Sequence, residues 1–171
     1  MLKAEIAENI DTRIVRDIVS ISRESYPPGW LCGESEKCYG QALPKPHSIV
    51  ILLRDDEKNV GFLFAVPHNE AVAELKNDDP LMKEDSGAYY IENGAILPAY
   101  RQEKGLAMMF TVLSTELKKR GVLRLSMHAR VTNKLSKNTS ENMRVIATRR
   151  IDAWKYYAYE EPTDFIIAEL S

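Results

Sequence analysis

The chain has 171 residues, of which 44% are hydrophobic and 28% charged, an ordinary globular composition that excludes disorder, collagen-like repeats and coiled coils. Its formal net charge is −2, with Lys and Arg scattered along the sequence, so no basic surface for nucleic acid is expected. No apolar run approaches the roughly 20 residues that span a bilayer, and the N-terminus lacks a signal-peptide pattern. We therefore expect a single cytoplasmic domain over residues 1–171, with neither nucleic-acid nor membrane partners.

The first half of the chain predicts a helix followed by a β-hairpin. Apolar residues recur on one face from Asp11 to about Ser25, where Asn9 or Asp11 can cap the helix. An irregular segment is expected from Tyr26 to Pro46, since it is rich in Pro and Gly, with one short helix around Ser35 to Leu43. Two short apolar runs, 48–54 and 60–66, flank five polar residues and predict the hairpin.

The second half alternates between strand and helix patterns. Its clearest pattern is a stripe of Leu, Met and Phe that predicts a helix from Gly105 to Arg120, with Gly121 as its stop. The order of all elements predicts a mixed α/β domain around one central sheet. The other predicted elements are a helix at 70–76, strands at 88–97, 123–131 and 164–170, and a helix from about Ser140 to Arg149.

The junction between the strand ending near Leu97 and the helix at Gly105 is the most informative segment. A helix N-terminus presents unpaired N–H groups and a partial positive charge, both suited to an anionic phosphate. Gly105 and Ala107 are small enough to let backbone approach a ligand, and Arg101 and Lys104 add positive charge. The pattern therefore predicts a diphosphate-binding turn.

At this junction the sequence resembles a known family. Gln102-Glu103-Lys104-Gly105-Leu106-Ala107 matches the pyrophosphate signature of the GNAT superfamily of acyl-CoA-dependent N-acyltransferases, with Ala in place of the second Gly. The turn from Pro98 to Gly105 is one residue longer than is usual in that family. Rossmann and Walker phosphate-binding motifs are missing from the sequence.

The resemblance implies a fold, a co-substrate and a set of binding residues. The fold is α/β (α+β mixed), with a central mixed, mostly antiparallel sheet flanked by helices. The co-substrate is acetyl-CoA, with no metal. The binding residues are Arg101 and the amides of Gln102, Glu103, Lys104, Gly105, Leu106 and Ala107 for the diphosphate, and the backbone of Ile96 and Leu97 for the pantetheine arm.

The resemblance also suggests catalytic residues. An amine acceptor is protonated at neutral pH, with a pKa of about 10.4, and must lose a proton before it attacks a thioester. Glu92 is the only acid on the predicted strand 88–97, which corresponds to the fourth strand of that family, and is the candidate base, although a solvent-facing charge is the alternative. Tyr156 and Tyr157 are candidate acids for the leaving thiolate, or packing residues.

Other polar residues give weaker indications. His47, His68 and His128 share no metal-ligand spacing, and His128 on a predicted strand is either a base or a satisfied buried histidine. Cys32 and Cys38 are expected to be thiols. An acidic stretch predicts either attraction of a cationic amine or a solvated loop; its members are Glu70, Glu74, Asp78, Asp79, Glu84 and Asp85.

The sequence thus predicts an N-acetyltransferase that acts on a small-molecule or peptide amine, and a homodimer stays open. Three alternatives remain: a non-catalytic acyl-CoA sensor or scaffold of the same fold, an acyltransferase with another acyl donor, and a simple interaction domain without affinity for coenzyme A.

Overall fold

The computed structural model describes residues 1–31, 35–101, 104–133, 143–156 and 159–170, with the side chain of Tyr156 left out. The described residues form seven strands in one mixed sheet, in the order β1-β2-β3-β4-β5-β7-β6, and four α-helices. Pairing is antiparallel for β1 with β2, β2 with β3, β5 with β7 and β6 with β7, and parallel for β4 with β5. This confirms the predicted fold class. The strands are β1 Leu2–Ile6, β2 Ile49–Asp55, β3 Lys58–Pro67, β4 Ala88–Ile96, β5 Arg124–Arg130, β6 Arg144–Tyr156 and β7 Tyr159–Glu169; the helices are α1 Thr12–Ser25, α2 Ser35–Ala42, α3 His68–Leu75 and α4 Gly105–Lys119.

Helix α1 forms where its apolar spacing predicts it. The side chain of Asp11 accepts a hydrogen bond from the N–H of Ile14 at 2.8 Å, so Asp11 caps the helix. Ile18, Val19 and Ile21 on the apolar face are almost fully buried. Helices α2 and α3 also lie close to their predicted positions.

The chain divides into two compact units. Unit 1 consists of Met1–Ala65 and Asn93–Glu116 and contains β1, the β2–β3 hairpin, α1, α2, the end of β4 and most of α4. Its core is built from apolar side chains of the hairpin and α4, since Leu53, Phe62, Met109 and Leu113 are buried.

Unit 2 consists of Val66–Glu92 and Leu117–Ser171 and contains α3, the first part of β4, and strands β5, β6 and β7. The parallel register of β4 and β5 runs from Ala88 opposite Arg124 to Ile91 opposite Met127. Strand β7 pairs along the whole of β5, and Leu125, Ile166 and Ala168 are buried in this part of the sheet.

One predicted helix is wrong. The segment predicted as a helix from Ser140 to Arg149 contains the start of β6, which pairs with β7 from Arg144 opposite Glu169 to Tyr156 opposite Tyr159. β-Branched residues such as Val145 and Thr148 favour a strand, and the hairpin partner β7 outweighs the local helix propensity. The predicted helix start at Ser140 lies outside the described residues.

Strand β1 is an element that the sequence patterns did not predict. Leu2–Ile6 pairs antiparallel with β2, from Leu2 opposite Asp55 to Ile6 opposite Ile51. The strand is short and carries the charged residues Lys3 and Glu5, so its apolar alternation is weak.

Candidate active site

The junction between β4 and α4 lies within unit 1. Strand β4 ends at Ile96, a 3-10 turn covers Pro98–Tyr100, and α4 begins at Gly105, as predicted. Lys104 and Ala107 are exposed at the start of α4, and Leu106 is half-buried. The N–H groups of the first turn of a helix have no partner within the helix, so this end can bind an anion. Gln102 and Glu103 lie outside the described residues.

Gly105 has a packing role that the sequence did not reveal. It is buried, and a Cβ atom added to it would lie 2.5 Å from Cδ2 of Leu53 and 3.5 Å from Cδ1 of Ile96. Since Leu53 on β2 is fully buried, the missing side chain allows the first turn of α4 to pack against the sheet. Ala107 is therefore the small residue of the motif that is open to solvent.

We expect Gly105→Ala to lower the free energy of unfolding by about 1–2 kcal/mol, because the added methyl group overpacks the contact with Leu53. Gly40→Ala is the matched control. Gly40 lies inside α2, and a Cβ atom added to it would have no other atom within 4 Å, so this change should raise stability by up to about 1 kcal/mol. Urea unfolding shows whether each variant has a lower or a higher free energy of unfolding than the wild type. A stabilised Gly105→Ala protein would contradict the packing role.

The backbone next to the junction already has protein partners. The N–H of Leu97 donates to the Val60 carbonyl of β3 at 2.9 Å, so the amide of Leu97 faces β3. The carbonyl of Ile96 belongs to the same trans peptide and points the opposite way. It accepts hydrogen bonds from Ser25 Oγ at 3.2 Å and from Arg101 Nε at 3.1 Å. Arg101 is thus bound to backbone in this structure.

The candidate catalytic residues are described unequally. Glu92 is exposed on β4, in unit 2, directly after Ile91, the final residue of the register with β5. Tyr156 ends β6, and its side chain lies outside the described residues, as does all of Tyr157.

A buried polar network in unit 2 confirms that His128 is a satisfied buried histidine, with partners that the sequence did not predict. The hydroxyl of Tyr90 lies 2.8 Å from His128 Nδ1, and His128 Nε2 lies 3.0 Å from Asp79 Oδ2. Arg149 donates to the same carboxylate oxygen of Asp79. The His128 ring stacks on Trp154 with 4.0 Å between centroids. The side chains of His128 and Asp79 are 1% and 2% exposed.

The protonation states in this network follow from its environment. Burial lowers the pKa of His128 to about 4. Its effect is larger than that of the Asp79 carboxylate, which raises the same pKa. Burial raises the pKa of Asp79, but hydrogen bonds from Arg149 and His128 outweigh it and hold that pKa below its usual value. At neutral pH, His128 is therefore neutral, with its proton on Nε2 facing the Asp79 carboxylate, and Nδ1 accepts a hydrogen bond from the Tyr90 hydroxyl.

Two members of the predicted acidic stretch are engaged in ion pairs. Asp79 belongs to the buried network, and Asp85 accepts hydrogen bonds from Arg124 Nε at 2.6 Å and Nη2 at 2.8 Å. These two carboxylates are therefore structural and do not face solvent as free charges. Asp78 and Glu84 are exposed.

The described residues were also compared with the requirements of a metal site and of a membrane-spanning helix. In the part of the chain that the structure describes, no three His, Cys, Asp or Glu side chains are grouped so that they could hold a metal ion. Among the described helices, none is long and apolar enough to cross a membrane.

Comparisons with known proteins identify the fold. No protein-family model matches the sequence, and no curated protein matches it either. Among solved structures, the ribosomal-protein-S18-alanine N-acetyltransferase of Escherichia coli is similar over 100% of this chain and 95% of its own, with a TM-score of 0.67 and 18% identity. NAA60 of Arabidopsis thaliana, in complex with acetyl-CoA, gives a TM-score of 0.69 and 13% identity, over 99% of this chain and 98% of its own.

An aminoglycoside 6'-N-acetyltransferase complexed with coenzyme A is similar over 98% of this chain and 97% of its own, with a TM-score of 0.67 and 10% identity. At identities this low, the structural similarity establishes the architecture alone. Each match extends over nearly the whole length of both chains. The chain therefore has the fold of the GNAT N-acetyltransferases.

Proposed function

We propose that this protein is an N-acetyltransferase that transfers an acetyl group from acetyl-CoA to a primary amine. The observation that supports this most strongly is the start of α4, where Lys104 and Ala107 are exposed directly after β4 and its turn. Two of the structurally similar proteins are complexes with coenzyme A or acetyl-CoA. We propose a single functional domain over residues 1–171.

The residues at this end of α4 fit a diphosphate. Backbone N–H groups from Gln102 to Ala107 would donate to phosphate oxygens, the partial positive charge of the helix end favours an anion, and Lys104 adds a full charge. The exposed methyl group of Ala107 leaves the backbone accessible. Acetyl-CoA supplies the acetyl thioester.

Glu92 is the proposed base. Its exposed carboxylate can take the proton that the acceptor ammonium loses, after which the amine nitrogen forms a bond to the acetyl carbon and the carbon–sulfur bond breaks. The sulfur leaves as a thiolate with the bonding electron pair. Tyr156 or Tyr157 is the proposed donor of the proton that neutralises it, and the second proton that the nitrogen loses as the amide forms passes through water and restores the tyrosine.

The acceptor is proposed to be an amine of a peptide or a small molecule. The similar proteins include one that acts on the alanine of ribosomal protein S18 and one that acts on an aminoglycoside. The exposed carboxylates Asp78 and Glu84 would attract a cationic acceptor at low ionic strength.

A turnover assay separates the enzyme from a sensor of the same fold. Thiol release from acetyl-CoA, measured with a panel of primary amines, is expected above the rate without amine. Binding of acetyl-CoA without amine-dependent thiol release would favour the sensor. Release from longer acyl-CoA donors only would favour a different acyl donor.

We expect Ala107→Glu to abolish coenzyme A binding without destabilising the protein. A carboxylate in the first turn of α4 is favourable for the helix but repels a diphosphate. Thermal unfolding with and without coenzyme A is the measurement, because a ligand at one hundred times its dissociation constant stabilises the native state by about 2.7 kcal/mol.

The matched control is Thr115→Glu, which adds the same charge at another exposed position of α4, about 12 Å along the helix axis. It should keep the full stabilisation by coenzyme A. If Ala107→Glu also keeps it, the phosphates bind elsewhere, and if the wild-type protein shows none, the proposed function fails.

A further inference from the structure

One edge of β4 is occupied by side chains from the end of α1. The peptide geometry at Leu97 places the carbonyl of Ile96 on the edge that faces away from β3, and Gly94, two residues earlier, presents its N–H and C=O on the same edge. The hydroxyl of Tyr26 donates to the Gly94 carbonyl at 2.7 Å, and it also lies 3.3 Å from the Gly94 N–H, which donates to Asn93 Oδ1 at 2.9 Å.

The next carbonyl along this edge is also occupied. Ile96 O accepts from Ser25 Oγ and from Arg101 Nε, and the other end of the guanidinium, Nη2, donates to Ser25 O at 2.9 Å. A carbonyl oxygen has two lone pairs, so these two donors use its full capacity. A further donor can bind Ile96 O only by replacing one of them.

The Tyr26 hydroxyl is held in position by a chain of side-chain contacts. It contacts Asn93 Oδ1, and Asn93 Nδ2 donates to Tyr39 Oη at 2.8 Å. Tyr39 Oη is in turn 3.1 Å from the buried Ser22 Oγ. The Tyr26 ring lies beside Trp30, with 5.9 Å between centroids. This chain of contacts fixes the hydroxyl on the edge of β4.

We propose that Ser25, Tyr26 and Arg101 form a latch on the edge of β4 that acyl-CoA must displace in order to bind. The proposal rests on the proposed function, together with the pairing of the pantetheine arm with the backbone of Ile96 that the resemblance to the GNAT superfamily implies. On this edge the three latch residues occupy the carbonyls of Ile96 and of Gly94, which the N–H groups of the arm would need as acceptors.

The hydrogen bonds that Arg101 makes in the latch can be broken at small cost. Arg101 is exposed, and its hydrogen bonds to Ile96 O and Ser25 O lie at the surface, so water can replace them at small cost. Arg101 also lies three residues before Lys104, at the proposed diphosphate site. Its guanidinium cannot bind the Ile96 carbonyl and a phosphate at once, so opening of the latch and binding of the diphosphate are coupled through this one side chain.

Tyr26→Phe is the first test, because it removes the hydroxyl and keeps the ring beside Trp30. The dissociation constant of coenzyme A, measured by calorimetry, should fall by about two- to tenfold, the effect of one hydrogen bond on an equilibrium. Tyr100→Phe is the control, since Tyr100 donates to Asp55 Oδ2 at 3.3 Å, and it should leave the dissociation constant unchanged.

Arg101→Ala, measured with two ligands, is the second test. Pantetheine lacks the diphosphate and should bind this variant more tightly than it binds the wild type. For coenzyme A the increase in affinity should be smaller or absent, because the variant also lacks a positive charge near the diphosphate. If Arg101 served only as a phosphate ligand, its removal would weaken coenzyme A and leave pantetheine unchanged, which would overturn the latch.

The outcomes also separate the latch from the proposed function. Binding of coenzyme A by the wild type, together with equal or weaker binding by Tyr26→Phe, overturns the latch and leaves the proposed function intact. Binding by Tyr26→Phe but not by the wild type supports both. Absence of binding by the wild type and both variants, all shown to be folded by circular dichroism, overturns both.

Discussion

Replacement of Asp79 by alanine is expected to lower the free energy of unfolding by about 3 kcal/mol. The change leaves the Nε2–H of His128 without its acceptor in a buried site and removes the carboxylate that Arg149 binds. The value lies at the low end for a broken buried pair, since the Arg149 side chain is 31% exposed and can bind water instead. Urea unfolding followed by circular dichroism measures the loss.

Asp78→Ala is the matched control for this prediction. Asp78 precedes Asp79 in the sequence and is exposed, so its removal should change stability by less than about 0.5 kcal/mol. Equal losses in the two variants would show that the acidic segment as a whole, and not the Asp79 network, is responsible.

The second large effect concerns pH. The pKa of His128 is about 4 in the folded protein and about 6.5 in the unfolded chain, so the unfolded chain binds a proton more readily. The contribution of His128 to stability is therefore complete above pH 6.5 and is lost as the pH falls towards 4. A separation of this size corresponds to about 3 kcal/mol.

Replacement of His128 isolates its contribution. Urea unfolding between pH 7 and pH 4 should give a steeper loss of stability for wild type than for His128→Phe, which keeps an aromatic ring beside Trp154. Asp79 is hydrogen-bonded to the ring, and Arg149 and His68 are the other titratable groups that influence it electrostatically. Parallel curves for the two proteins would mean that protonation of His128 does not contribute.

The elements that the sequence predicted correctly are those with a strong local pattern. Helix α4 has a continuous apolar stripe whose members Met109, Leu113 and Leu117 are fully buried, and α1 has both a stripe and the Asp11 cap. The segment that contains the start of β6 has a mixture of propensities and follows a serine typical of a helix cap. Its state is decided by pairing with β7, and single-segment patterns do not report that pairing.

In the candidate site, too, the features that could be predicted are those formed by residues close together in the sequence. The start of α4 was predictable because its Gly and the helix after it are neighbours in sequence. The reason for Gly105, contact with Leu53, depends on a residue of another strand. The Asp79–His128 pair brings together residues 49 positions apart, and Arg149 joins from 70 positions away, so no local spacing indicates this network.

The two outer strands of the sheet, β1 and β6, bear on how copies of the chain associate. Strand β1 carries Lys3 and Glu5, and β6 carries exposed charges at Arg144, Asp152 and Lys155. A second chain that added its own strand to either border would have to place a neighbour beside these charges and strip water from them. We therefore expect continuous sheet extension between copies to be disfavoured, so that any homodimer uses a different surface.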